Sequence, residues 1–281
     1  MSPMIRACCL LLAAALLACQ PADTRYPDSP KRIVSLAPAV TEALFEIGAG
    51  DLLVGRSDYD QFPPESLALP PVGTSITPGY EAIARLAPDL IVADSGVSVP
   101  LAELGRIAPT LSLQWLSTAE VVASIRQLGE ITNHRAAADA LANSLDAALS
   151  VPVPPDADTA MALIGLDGLG DGVLWYLGPG TLHGDAITAA GFRNAVNDPV
   201  ATPQLSVERL IELNPDWLIV IDPRDGLEQS VRQELLNSLR KLDMLDAVKN
   251  ERLRVIAGQR YLLPGPSVID LVAELKAATQ P

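Results

Sequence analysis

Six residues in three short segments have side chains suited to contact with a small ligand. Arginine pairs with carboxylate or phosphate groups, tyrosine coordinates ferric iron or stacks on a ring, and tryptophan offers a large flat surface. Tyr59 and Tyr261 lie in polar or Pro/Gly-rich loops, where binding residues concentrate. We therefore predict ligand contacts at Arg56, Tyr59, Trp175, Tyr176, Arg260 and Tyr261.

Structural roles compete with binding at three of these positions. Trp175 and Tyr176 end a predicted strand, so at least one of them should point into the core, because successive strand side chains alternate between faces. The alternative for Arg56 is an ordinary solvated charge.

Few other residues could support catalysis or hold a metal ion. With 2 His and 3 Cys, the chain lacks the ligands for a zinc-finger array, and a disulfide scaffold is excluded. His183 next to Asp185 could form half of a catalytic pair, but the sequence has no G-x-S-x-G nucleophile motif. A structural role for His183 is therefore favoured, and His134 lies too far away in sequence to complete a metal site with it. We predict no catalytic residue, no metal site and no cofactor.

Length and charge limit the class of protein. A chain of 281 residues that is 49% hydrophobic and 19% charged is globular and suits one large or two medium domains. Its formal net charge of −14 would repel phosphate backbones, so nucleic acid is excluded as a partner.

The first residues resemble an export signal. Arg6 is followed by an apolar run that ends at Ala18 and is shorter than the about 20 residues needed to span a bilayer. The run closes with Leu-Leu-Ala-Cys, which resembles a bacterial lipobox, where cleavage precedes a Cys that is then acylated. We predict a lipoprotein signal peptide at 1–18, lipidation of Cys19 and a linker at 19–31 that tethers the folded body to a membrane. The alternative is an ordinary signal peptide cut after Ala18.

Two later stretches, 80–92 and 207–219, share one pattern. In both, a glutamate is followed two residues later by Ile or Leu, five later by Leu and seven later by Pro-Asp. The glutamates are Glu81 and Glu208. Each stretch predicts an amphipathic helix, a turn, and a strand that is apolar on both faces. Such strands belong to sheets covered by helices on both sides, so the repeat favours a two-lobe plan.

The remaining pattern alternates strands with helices, which is typical of an α/β fold. Between the two repeats, residues 135–149 are rich in Ala and Leu and predict an uninterrupted helix that ends before several prolines. We predict two Rossmann-like lobes joined by this one long connecting helix, with boundaries at 32–133, 134–152 and 153–281. Predicted strands include 32–36, 90–93, 110–113, 160–166, 173–176 and 217–221; predicted helices include 38–47, 118–131, 182–190, 207–213 and 267–278.

Four segments together resemble a known family. They are the opening at 31–42, the segment 53–59, the two Glu–Pro-Asp units, and 180–194. They resemble the substrate-binding lipoproteins of ABC importers, in the helical-backbone group that binds vitamin B12, ferric siderophores or haem. This resemblance implies two rigid lobes that flank a ligand cleft, and a surface glutamate on each lobe that docks into arginine pockets of the permease. Glu81 and Glu208 match those glutamates; the alternative is that both are ordinary acids favoured at a helix N-terminus.

The cleft departs from the pattern of the B12-binding relatives. Tyr59 matches an aromatic residue that contacts ligand there. Ser75 and Thr202 stand where two tryptophans are expected, and the position of a third falls near Ser95. Because the three tryptophans are replaced, B12 itself is not favoured as the ligand, whereas a related macrocycle stays an alternative.

These observations predict a binding protein and not an enzyme. It would capture an iron or cobalt chelate (siderophore, haem or corrinoid) on the outer face of a membrane and deliver it to an ABC permease dimer with its ATPase. The alternatives are an exported α/β hydrolase-like enzyme that uses His183 and Asp185, and a lipoprotein that binds a protein partner.

Overall fold

The computed structural model describes residues 26–27, 29–197 and 203–279. The predicted signal peptide at 1–18, the lipidation site Cys19 and most of the linker at 19–31 lie outside these residues. Thr202 lies outside them as well.

The first lobe is a parallel sheet with helices packed on it. Its strands, in the spatial order β2-β1-β3-β4, are β1 (Ile33–Ser35), β2 (Leu53–Gly55), β3 (Leu90–Asp94) and β4 (Thr110–Leu113). Its helices are α1 (Pro38–Glu46), α2 (Tyr80–Arg85) and α3 (Leu101–Leu104). Pro38 stands in the first turn of α1, where its missing N–H has no partner to lose.

Two helices, not one, lie between the first sheet and the second. They are α4 (Thr118–Thr132) and α5 (Arg135–Leu149). Ser117 and Glu120 form a capping box at the start of α4, and Asn133 ends it in the left-handed conformation at φ 61°. The chain then reverses, and α5 packs back along α4, where the Arg126 guanidinium donates to the Asn143 side chain at 2.8 Å. The predicted connecting helix is therefore the second member of a helical pair.

The second lobe repeats the plan of the first. Its strands are β5 (Thr159–Ile164), β6 (Val173–Trp175), β7 (Arg193–Asn194), β8 (Gln204–Ser206), β9 (Trp217–Asp222) and β10 (Leu253–Ala257). Four of them form a parallel sheet in the order β10-β9-β5-β7, while β6 and β8 pair as a separate antiparallel ribbon. Its helices are α6 (Leu182–Ala189), α7 (Val207–Leu213), α8 (Gln229–Arg240), α9 (Asp246–Lys249) and α10 (Val268–Thr279).

The described residues form three hydrophobic clusters, of which one runs through both lobes and the helical pair while the other two are confined to the second and the first lobe. The shared cluster includes Val92 from the first sheet, Leu128 and Leu145 from α4 and α5, and Ala162 and Leu271 from the second lobe, all fully buried. Polar contacts also cross between the lobes. The Ser267 backbone N–H donates to Glu42 Oε1 at 2.6 Å.

The fold class predicted from the sequence is confirmed, as are many of the individual elements. β4, α5 and α7 have the predicted bounds, and the other predicted elements differ by one or a few residues at their ends. β7, β8 and α9 are not predicted by the sequence pattern. The lobe boundaries at 133 and 153 stay predictions.

In the part of the chain that the structure describes, no helix combines the length and the apolar character needed to cross a bilayer.

Candidate functional site

A cavity of about 370 Å³ opens between the two lobes. On the first lobe it is lined by Asp94 at the end of β3, and by Trp115 and Leu116 just after β4. Ile164 at the end of β5 lines it on the second lobe. The carboxyl ends of three parallel strands thus converge on one space, which is where open α/β sheets bind ligands.

The second lobe completes the wall with residues from α6 and from the loops beside it. Tyr176 follows β6, His183 lies in the first turn of α6, and Leu262 belongs to the segment after β10. Most of the wall is apolar, so the cavity suits a ligand with extensive apolar surface and a few polar groups.

Three polar side chains in the wall are candidates for polar contact with a ligand: Asp94, Trp115 and His183. Asp94 Oδ1 accepts the Gly96 N–H at 2.7 Å, and burial raises the pKa of this carboxyl. Trp115 Nε1 and His183 Nε2 are buried without a hydrogen-bond partner. Burial lowers the pKa of His183 to about 4, so its imidazole is neutral at physiological pH.

A second, smaller cavity of about 60 Å³ lies between Tyr59 and Phe62 of the first lobe and Asp225 and Arg260 of the second. The Tyr59 side chain is 67% exposed, so its ring is free to meet a bound molecule. The chain segment after β10 lines both cavities, through Arg260 in the smaller and Leu262 in the larger.

The structure therefore brings three of the six predicted ligand residues to the cavities between the lobes: Tyr59, Tyr176 and Arg260. Arg56 instead donates from Nη1 to the carbonyl oxygens of Ser57 at 2.8 Å and Asp60 at 3.3 Å.

Tyr261 and Trp175 also lie away from the cavity walls. The Tyr261 ring is buried in the core, with its hydroxyl donating to Glu274 at 3.3 Å. Trp175 is 46% exposed on the outer face of the β6–β8 ribbon. Tyr176, the next residue, is buried in the second-lobe core, which confirms that one of this pair points inward.

The two repeat glutamates are both on the surface, one on each lobe. Glu81 in α2 pairs with Arg85 at 3.1 Å, with both side chains highly exposed. Glu208 in the first turn of α7 is fully exposed, and hydrogen bonds from its own backbone N–H and from Ser206 lower its pKa. Both carboxylates are therefore accessible.

The chain matches the family model described as "Periplasmic binding protein" over residues 33–259. It belongs to this family. An ABC transporter substrate-binding lipoprotein of Bacillus subtilis, YvrC, is 25% identical over 92% of this chain and 83% of its own length. A vitamin B12-binding protein of Pectobacterium atrosepticum is 27% identical over 89% of this chain and 91% of its own. The crystal structure of a periplasmic haem-binding protein of Pseudomonas aeruginosa has the same fold, with a TM-score of 0.70 and 24% identity over 89% of this chain and 92% of that one.

The arrangement around His183 does not favour the hydrolase alternative. Asp185 Oδ2 accepts a hydrogen bond from Thr118 Oγ1 at 2.5 Å, which joins α6 to α4. The carboxylate is thus engaged away from the imidazole, and His183 Nε2 has no partner. Within the described residues, no group of three His, Cys, Asp or Glu side chains is placed to hold a metal ion.

Sequence reasoning missed Asp94 and Trp115 as cavity residues. A signal for both was present, since Asp94 directly follows one predicted strand and Trp115 lies two residues after another, and ligands bind at the carboxyl ends of parallel strands.

Proposed function

We propose that this chain is the extracytoplasmic substrate-binding component of an ABC importer that captures an iron or cobalt chelate and delivers it to the permease. The observation that carries the proposal is the apolar cavity of about 370 Å³ at the strand ends between two lobes of a periplasmic binding protein. The family match favours this interpretation over the hydrolase-like enzyme and the protein-binding lipoprotein.

The class of cargo is supported by the relatives and by the cavity wall. Similar proteins are named for binding vitamin B12, haem or siderophore. Siderophores, haem and corrinoids all combine a large apolar surface with polar groups at the rim, which suits this wall. Among the predicted contacts, Tyr59, Tyr176 and Arg260 are the best placed to touch such a ligand.

Ligand capture is tested by titrating the purified protein with cobalamin, cobinamide, haemin and several ferric siderophores. Trp115 lies in the cavity wall, while Trp175 is outside it. Specific binding should therefore change the fluorescence of Trp115. This fluorescence change should be lost in Trp115→Phe and kept in Trp175→Phe. Calorimetry is needed in addition to the fluorescence titration, because coloured ligands absorb the emitted light. Failure of the whole panel to bind would contradict chelate capture.

Anchoring through Cys19 is part of the proposal. It is supported by the lipobox-like segment that ends at this residue and by the relative named as a lipoprotein. An acylated Cys19 with the linker at 19–31 would hold the lobes at 32–133 and 153–281, with the connecting helix at 134–152, close to the permease.

Docking on the permease is assigned to Glu81 and Glu208. One accessible carboxylate on each lobe would fix the orientation of the protein on a two-fold symmetric permease, because each would pair with an arginine pocket on one subunit. The permease would act with its ATPase.

We expect the double variant Glu81→Gln and Glu208→Gln to reduce ATP-dependent uptake at least about tenfold, while ligand affinity stays within twofold, since a tenfold loss corresponds to about 1.4 kcal/mol of docking energy. The matched control is Glu103→Gln with Glu234→Gln, which also removes one exposed carboxylate from each lobe. Equal uptake by the two double variants would contradict the assignment.

A further inference from the structure

The larger cavity has an acidic group and no cationic group in the part of its wall that the structure describes. Among the described residues that line it, Asp94 is the one acidic side chain, and the imidazole of His183 is neutral at physiological pH. Glu120, the capping residue of α4, adds a second negative charge close enough to raise the pKa of Asp94.

The arginines at the neighbouring strand ends are already occupied. Arg224, after β9, pairs with both oxygens of Asp222 at 2.8 and 2.6 Å. Arg260, after β10, pairs with Asp270 at 3.2 Å. Arg56, after β2, donates to backbone carbonyls. Carboxylates balance the charges of Arg224 and Arg260, so a carboxylate on a ligand would have to displace an existing partner to pair with either of them. Arg56 is held by its own loop, and its Nε is buried away from the larger cavity.

The unpartnered groups in the wall complement a neutral ligand. Trp115 Nε1 is a donor without an acceptor, His183 Nε2 also has no partner, and Asp94 offers carboxylate oxygens that accept. A primary amide presents both donors and acceptors and can satisfy such a set.

We infer that Asp94 is a specificity residue, through which the cavity selects chelates whose exposed groups are amides or cations and rejects chelates that expose carboxylates. The inference rests on the proposed function and narrows its class of cargo. Its physical basis is that an anionic group placed beside Asp94 loses its hydration and meets a like charge in a partly buried site.

Matched ligand pairs test this selection, each pair sharing one scaffold and differing in charge. The pairs are cobinamide against the corresponding corrin polycarboxylate, haemin dimethyl ester against haemin, and a ferric trihydroxamate with a free amine against the same chelate succinylated at that amine. On the scaffold that binds, we expect the uncharged or cationic member to bind at least about tenfold more tightly, as measured by calorimetry. Tighter or equal binding of the carboxylate member by the unaltered protein would overturn the inference.

The Asp94→Asn variant assigns the effect to this residue. Its side-chain oxygen can still accept the Gly96 N–H, so the turn after β3 is kept. We expect the ratio of the two affinities to fall to within about threefold in Asp94→Asn and to stay unchanged in Asp51→Asn, which removes an exposed carboxylate of the first lobe that lines neither cavity. An unchanged ratio in Asp94→Asn would overturn the role of Asp94. Absence of binding by every member of all pairs would instead contradict chelate capture itself, and the inference would fall with it.

Discussion

Glu42 is a carboxyl group buried at the contact between the lobes. Its Oε1 accepts the Ser267 N–H at 2.6 Å, while its Oε2 is buried without a partner. Burial raises the pKa of Glu42 to about 7, because removing the carboxylate from water penalises its charged form more than one backbone donor can offset. Asp60 behaves alike, with burial raising its pKa to about 6 although Thr41 donates to it at 2.5 Å.

Stability should therefore fall as the pH rises through the acidic range. Between about pH 4.5 and 7 the folded protein holds a proton on Glu42 that the unfolded chain has released, so the free energy of unfolding decreases with pH by at most about 3 kcal/mol from this group. Urea denaturation at pH 5 and pH 7.5 measures the difference. Glu42→Gln should flatten the profile, since its side-chain oxygen can still accept from Ser267.

The exposed Glu65 offers the control for this experiment, and Glu65→Gln should keep the pH dependence of the unaltered protein. A profile for Glu42→Gln as steep as that of the unaltered protein would contradict the assignment of the proton to Glu42.

At single residues, the sequence predicted part of the site. Tyr59, Tyr176 and Arg260 reach the cavities, but the partners that occupy Arg56 are backbone carbonyls of its own loop, which residue type and spacing do not reveal. Which side chain enters a cavity between two lobes depends on how the lobes face each other, and that placement is a long-range property.

At the scale of elements, the pair α4 and α5 depends on a close approach at Gly129. A methyl group on Gly129 would overlap the side chain of Ala138 on the facing helix. Glycine is less favourable than alanine in the interior of a helix by about 1 kcal/mol, but here it allows the two helices to pack closely.

We expect Gly129→Ala to lower the free energy of unfolding, because overpacking costs about 1–3 kcal/mol and exceeds the gain in propensity. Adding Ala138→Gly removes the facing methyl group and should restore part of the loss, so the two changes are not additive. Chemical denaturation of the two single variants and the double variant checks this. Additive losses would show that the two positions are not in contact.

Local patterns predicted most elements because each helix or strand has its own periodicity of apolar residues. The β6–β8 ribbon shows the limit of such patterns. Its two strands have three residues each and pair with Val173 opposite Ser206 and Trp175 opposite Gln204. The sequence predicted β6, but β8 is recognisable as a strand only through its pairing with this distant partner. The second sheet similarly gains β7 through a two-residue pairing with β5.

At the scale of the whole molecule, the two lobes share one buried apolar cluster, and each lobe has a further cluster of its own. Apolar residues from both sheets and from the helical pair belong to a single buried cluster, and hydrogen bonds such as Thr118 to Asp185 cross between the lobes. Lobes connected in this way are expected to unfold together.

We predict a single unfolding transition. Trp115 reports on the cavity wall of the first lobe, and Trp217 on the second sheet, where Arg252 and Arg254 lie over its ring. We would compare two unfolding midpoints in variants that keep either Trp115 or Trp217. In each variant, the urea midpoint measured by tryptophan fluorescence should coincide with the urea midpoint measured by far-ultraviolet circular dichroism. A Trp217 midpoint displaced from the dichroism midpoint would show that the second lobe unfolds alone.

The contact between Glu42 and Ser267 also joins the first helix of the chain to the start of the last. Because 225 residues separate these partners, a growing chain reaches Ser267 only after the strands of both sheets have been synthesised. A product terminated before that point leaves the Glu42 carboxylate without its backbone donor and lacks Leu271 and Leu275, which belong to the common core. Premature termination would thus yield an unfinished polypeptide exposed to proteases, and not a folded half-receptor that competes for the permease.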